Sequence, residues 1–72
     1  MSNLVEIVIP AHNEEYNVPV IYAAIKEAFV GTGYDCKVLF VDDGSTDGTL
    51  HAIQELAHNQ DDVFYISLSR NV

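Results

Sequence analysis

Hydrophobic positions along the chain fall into two rhythms. Leu4 to Pro10, "LVEIVIP", is a β-branched run with Glu6 as its one polar intrusion, and it stops at a proline, which predicts a strand. From Val18 onward, Val20, Ile21, Ala24, Ile25, Ala28 and Phe29 recur at helical spacing and predict one face of an amphipathic helix. Asn17 is placed to cap that helix, Pro19 suits its first turn, and Gly31 and Gly33 close it. Lys37 to Val41, "KVLFV", is a nearly unbroken apolar run, as expected of a strand covered on both faces in a parallel sheet. A second helix follows, with Ser45, Thr46 or Asp47 as caps and Leu50, Ile53, Leu56 and Ala57 on its buried stripe. Asp62 to Ser69, "DVFYISLS", reads as a third strand.

The order β-α-β-α-β predicts an α/β fold, with helical crossovers long enough to join parallel neighbours. It is half of a Rossmann-like, doubly wound parallel sheet with helices packed on it. Residues 1–72 form one domain at most, and a domain of this size hides only ~60% of the surface its unfolded chain exposes. The chain stops directly after the third strand, so we expect a truncated, N-terminal piece of a longer protein. An unpaired strand edge or uncovered apolar surface would favour self-association.

Hydrophobic residues make up 49% of the chain and charged residues 19%, a globular composition. The formal net charge is -8, with eleven Asp and Glu against three Lys and Arg, namely Lys26, Lys37 and Arg70. That balance makes nucleic acid, which is held by many phosphate contacts, a poor partner, and it disfavours anionic membrane surfaces. The apolar runs are too short for a membrane span and no signal peptide is visible, so the expected location is cytoplasmic. Cys36 is the single cysteine and reads as a buried or half-buried thiol at the start of a strand.

In open parallel sheets ligands bind beyond the carboxyl ends of the strands. Three polar segments meet that edge: "PAHNEE" after the first strand, "DDGSTDGT" after the second and "SRN" after the third. Asp42, Asp43, Glu14 and Glu15 would repel a bare phosphate. They suit hydrogen-bond donors such as ribose hydroxyls or a uracil imide N–H, or else a hard cation that bridges a diphosphate. Successive strand residues face opposite ways, so one of Asp42 and Asp43 is expected to bind while the other organises the turn. Both segments also have plain structural readings, "DDGS" as turn and cap chemistry and the Glu pair as solvated acids near a helix start. His12 lies in the first loop, where its ring can stack on a base. His51, Glu55 and His58 share a helix and read as an exposed polar stripe in preference to a metal site. Neither GxGxxG nor GxxxxGK[ST] occurs, which argues against dinucleotide-binding and P-loop enzymes.

The stretches "VIPAHNEEYNVPVI", "VLFVDDGSTDGTL" and "VFYISLSRN" together resemble the opening of an inverting family 2 glycosyltransferase. The branch they are most similar to includes dolichyl-phosphate mannose synthases and bacterial polyprenyl-phosphate (bactoprenol) glucosyltransferases. The resemblance covers nearly the whole chain and implies the GT-A arrangement of the sheet. It also implies nucleotide contacts from Pro10, Ala11, His12, Asn13, Glu14, Asp42 and Asp43, with His12 standing where the family usually has tyrosine. Arg70, on the phosphate side, and Asn71 match a motif after the third strand. The parent enzyme would take a nucleoside-diphosphate sugar, UDP- or GDP-linked, and pass the sugar to an acceptor such as polyprenyl phosphate at the cytoplasmic face of a membrane. The resemblance places the family's Asp-x-Asp site for Mg²⁺ or Mn²⁺ downstream of Val72, so no catalytic or metal residue is expected within the segment, which alone should not turn over. Two other readings stand beside it: a non-enzymatic, self-associating fragment, and a receiver-like domain. Receivers carry their acidic pair after the first strand, and here the pair follows the second.

Overall fold

The computed structural model describes residues 3–68. Three strands and two helices alternate: β1 (Leu4–Ala11), α1 (Val18–Phe29), β2 (Asp35–Asp43), α2 (Thr49–Asn59) and β3 (Val63–Leu68). The sheet is wholly parallel in the order β1-β2-β3. β1 is in register with β2 from Leu4↔Asp35 to Ala11↔Asp42, and β2 with β3 from Val38↔Val63 to Asp43↔Leu68. This is the β-α-β-α-β half-sheet that the pattern predicts. β1 and β2 run further than their apolar runs, to Ala11 and Asp43, because the ladder carries the polar tips along with it. Ser69, Arg70 and Asn71 lie outside the described residues.

Both crossovers advance the same way across the sheet, so the right-handed rule puts both helices on one side. Burial agrees. Ala11, Val38, Phe40 and Val63 from the sheet meet Val18 and Ile53 from the helices in a single core, with Ile9, Ile21, Tyr22, Ile25 and Leu56 packed around it. Phe40 and Ile53 are fully buried, each contributing about 1.5–3 kcal/mol by removal from water. The α1 stripe is rotated from its expected position: Val18, Ile21, Tyr22 and Ile25 turn inward, whereas Val20, Ala24 and Ala28 are exposed. Val18 governs this. It is wholly buried at the helix start, and Val20 lies two residues, about 200° of helical rotation, away from it. Asn17 occupies the cap position without a side-chain cap bond, and its amide instead donates to Glu14 Oε2 at 2.7 Å. Gly31 and Gly33 end the helix at φ of 77° and 80°, a left-handed backbone that glycine adopts freely.

The other face of the sheet bears no helix among the described residues. Val8, Leu39 and Phe64 form one row across it, and Pro10, Val41 and Ile66 the next. Leu39 and Val41 are half-buried among these lateral neighbours, while Val8 is 56% exposed and Ile66 48%. Among the described residues, the expectation that "KVLFV" is covered on both faces is met on one face. At the N-terminal ends of the strands, Asp62 accepts hydrogen bonds from Lys26 Nζ at 2.5 Å and Tyr22 Oη at 2.8 Å, tying α1 to the entry of β3. Lys37 Nζ lies 4.9 Å from the centre of the Phe64 ring, a cation–π contact on the open face. Cys36 is buried with a free thiol.

Candidate functional site

At the opposite end, the C-terminal tips of β1 and β2 lead into two loops that fasten to each other. Asn13 N–H donates to Ser45 Oγ at 3.0 Å, and Thr46 N–H donates back to Asn13 Oδ1 at 2.9 Å. Glu14 N–H donates to Thr49 Oγ1 at 2.7 Å, and Gly48 N–H to Glu15 Oε1 at 3.2 Å. His12 Nδ1 sits 2.8 Å from the carbonyl oxygen of Asp43. A carbonyl only accepts, so Nδ1 carries the proton in this bond, and in the neutral ring Nε2 is then an acceptor, 3.4 Å from Asn13 Nδ2. The backbone turns at Asn13 with φ of 53°, the one non-glycine positive φ among the described residues. Asparagine tolerates this region better than most side chains.

The start of α2 shows why the second loop needs the first. Its cap position is Gly48, which offers no side chain. Asp47 supplies part of the cap: its Oδ1 accepts Thr49 N–H at 2.9 Å and also the Thr49 hydroxyl. The Thr49 hydroxyl, with help from backbone N–H groups, holds the Asp47 carboxyl below its ordinary range. Thr49 is itself fully buried, its hydroxyl donating to Asp47 while accepting Glu14 N–H. Of the three predicted caps, Asp47 acts as one, while Ser45 and Thr46 bond to Asn13 instead.

Asp42 and Asp43 part as strand geometry requires. Asp42 turns to the helix side, 2% exposed, and its Oδ1 has no hydrogen-bond partner among the described residues. Asp43 turns to the open side and is half-buried. A buried acceptor without a donor is uncommon, because leaving it unsatisfied costs about 1–3 kcal/mol. Asp42 is thus an open acceptor at the strand tips, next in register to Ala11 and Ser67.

The remaining predicted residues divide. His12 is exposed on the rim beside Asp43. Pro10 is an exposed strand residue in register with Val41, and Ala11 is core, 3% exposed. The Asn13 side-chain oxygen is engaged by Thr46, and Glu14 turns toward Asn17. Arg70 lies outside the described residues. Sequence reasoning missed Glu15, Ser45, Thr46 and Thr49 as the residues that join the loops. A helix opening on glycine was the available signal, since such a helix must find its acceptors elsewhere.

Among the described residues no group of three or more His, Cys, Asp or Glu stands close enough to hold a metal ion. These side chains alone do not make a divalent-cation site. His51 and Glu55 lie 3.5 Å apart, both well exposed, and His58 is exposed on the next turns. A cleft of about 490 Å³, lined by Tyr22, Lys26, Cys36, Lys37, Gln60 and Asp62 among others, opens at the far end of the sheet from the acidic loops. No helix of the described residues is long and apolar enough to cross a membrane.

Comparison with known proteins shows the family. The chain is 46% identical over 70 residues to a putative glycosyltransferase, CsbB, of Bacillus subtilis (strain 168), a match spanning 97% of this chain and 21% of that protein. It is 33% identical over 67 residues to a prophage bactoprenol glucosyl transferase homolog of Escherichia coli (strain K12), and 34% identical to the bactoprenol glucosyl transferase of Shigella phage SfV. Each of these two matches spans 93% of this chain and 22% of the relative. The family model described as glycosyl transferase family 2 matches residues 6–72, which include both fastened loops, β2, β3 and all of β1 from Glu6 onward. With a parallel half-sheet whose acidic tips are locked side by side, the chain belongs to glycosyl transferase family 2.

Proposed function

We propose that residues 1–72 form the nucleoside-binding part of a glycosyltransferase that takes a sugar from a nucleoside-diphosphate sugar. The single observation that carries this reading is the pairing of the two loops, which holds the His12 ring against the Asp43 carbonyl at the tip of β2, next to the unsatisfied Oδ1 of Asp42. A planar ring and carboxylate acceptors suit a nucleoside: the ring stacks on the base, and the carboxylates take ribose hydroxyls or an imide N–H through charge-assisted bonds. Pro10, Asn13 and Glu14 shape this rim through backbone position. Neither carboxylate suits the diphosphate, whose charge a divalent cation, Mg²⁺ or Mn²⁺, would offset when bound by residues beyond these.

The named relatives favour a lipid-phosphate acceptor, bactoprenol in two of the three. Its phosphate oxygen is anionic already and needs little help from a base, in keeping with a segment that contributes donor binding. Such a transfer would take place at the cytoplasmic face of a membrane. The test is titration of the ¹⁵N-labelled chain with UDP and GDP. Amide shifts at His12, Asn13 and Asp43 are expected; saturating nucleotide that leaves these three unmoved would overturn the reading.

A second reading, a fragment that self-associates without enzymatic function, is favoured by the uncovered sheet face of Val8, Phe64, Ile66 and Leu68. The same titration separates the two, since this reading expects no nucleotide response.

A further inference from the structure

We infer that Glu15 is a positioning residue for the nucleoside rim, latching α2 and its preceding loop to the loop after β1; this rests on the nucleoside-binding reading above. Glu15 stands outside the nucleotide contacts that the resemblance implies, and on sequence it reads either as one of the acids suited to a nucleoside or as a solvated acid near a helix start. In the fold it is half-buried, and its Oε1 accepts the Gly48 N–H at 3.2 Å. Its Oε2 and Cδ stand 2.7 Å and 3.2 Å from where a Cβ on residue 48 would lie. The carboxylate therefore fills the space that glycine leaves open at the helix start. The N-terminus of α2 gains from this anion an acceptor for the Gly48 N–H, which Asp47 does not serve, and a second favourable charge for its dipole beside that of Asp47.

The consequence reaches the rim through the chain. Gly48 ends the loop that begins at Asp43, and Glu15 follows His12 by three residues, so the Glu15–Gly48 bond closes a ring whose other side is the His12–Asp43 contact. Asn13 to Ser45 and Thr46, and Glu14 to Thr49, are the rungs between. Loss of the Glu15 rung frees the start of α2 and loosens the spacing between the histidine ring and Asp43. The positioning is steric as well as electrostatic: Gly48→Ala places its methyl on the Glu15 carboxylate and should open the same rung.

Three variants of the ¹⁵N-labelled chain test this: Glu15→Ala, Glu15→Gln and Gly48→Ala. In the first arm, without ligand, Glu15→Ala and Gly48→Ala should displace the amide signals of His12 and Asp43, while Glu15→Gln, which keeps an oxygen acceptor for Gly48 N–H, should restore them. In the second arm, Glu15→Ala should weaken UDP binding about three- to tenfold, the worth of one such hydrogen bond, and Glu15→Gln should recover it to within about twofold. A purely local cap would move Gly48 and leave His12 and Asp43 in place, which would overturn the inference, as would a Glu15→Gln variant that restores neither readout. If the parent binds neither UDP nor GDP, the nucleoside reading falls, while the latch is still decided by the first arm. If the parent binds UDP and Glu15→Ala binds it equally well, the inference falls and the nucleoside reading stands.

Discussion

Thr46 N–H donates to Asn13 Oδ1 at 2.9 Å, joining a residue just past β1 to one just past β2. Asn13 holds a left-handed backbone to make this bond. Asn13→Gly keeps the backbone at ease and removes the bond, and should cost about 1 kcal/mol of stability. Asn13→Ala removes the bond and adds strain, and should cost about 2–3 kcal/mol. Urea denaturation of the two variants checks the order; Ala proving no worse than Gly would show that the turn relaxes freely.

Asp62 predicts how stability follows pH. Burial pushes its carboxyl up, but the hydrogen bonds from Lys26 and Tyr22 outweigh this and hold it below its ordinary value. Its contribution is therefore present above the unfolded carboxylate pKa and is lost as pH falls through the lower folded value. Tyr22 runs the other way. Burial, then the bond to Asp62, raises it from 10.0 to about 12, so its contribution is full below pH 10 and disappears between there and about 12. Asp62→Asn should cost about 1 kcal/mol at neutral pH, since the pair is partly exposed, and should flatten both flanks of the urea midpoint against pH.

The open sheet face predicts association. Phe64 and Ile66, 44% and 48% exposed, sit in adjacent rows with Val8, Leu39, Pro10 and Val41. Phe64→Ser with Ile66→Ser should lower the sedimentation coefficient measured at high protein concentration and reduce binding of a hydrophobic dye. An unchanged coefficient would place any contact elsewhere, at a strand edge for instance.

Element order and type were legible in the sequence because "LVEIVIP", "KVLFV" and "VFYISL" are short β-branched or aromatic runs set apart by helical spacing. The parallel sense followed from crossover length. The face of α1 was not legible, because alanines at 24 and 28 fit an inner or an outer stripe equally, and only packing at Val18 decides. For the site, the opposite facing of Asp42 and Asp43 followed from strand alternation, and the structure bears it out. The division of labour within "PAHNEE" did not. Whether Asn13, Glu14 and Glu15 meet a ligand or the neighbouring loop depends on residues some 30 positions away, which no local pattern contains.

Asp42 carries the last prediction, which sets stability against binding. Its Oδ1 is buried and meets no donor among the described residues, an arrangement that costs about 1–3 kcal/mol and that a ligand's donor would relieve. Asp42→Val is apolar and suits a strand, so removing the orphan acceptor should raise stability by about 1 kcal/mol. The same change should weaken UDP binding about tenfold, whereas Asp43→Val, on the open face, should weaken binding with no gain in stability. Urea unfolding and UDP titration of both variants decide it. Asp42→Val that loses more than about 1 kcal/mol would mean the carboxylate already has a structural partner, and its place in the nucleoside site would have to be given up.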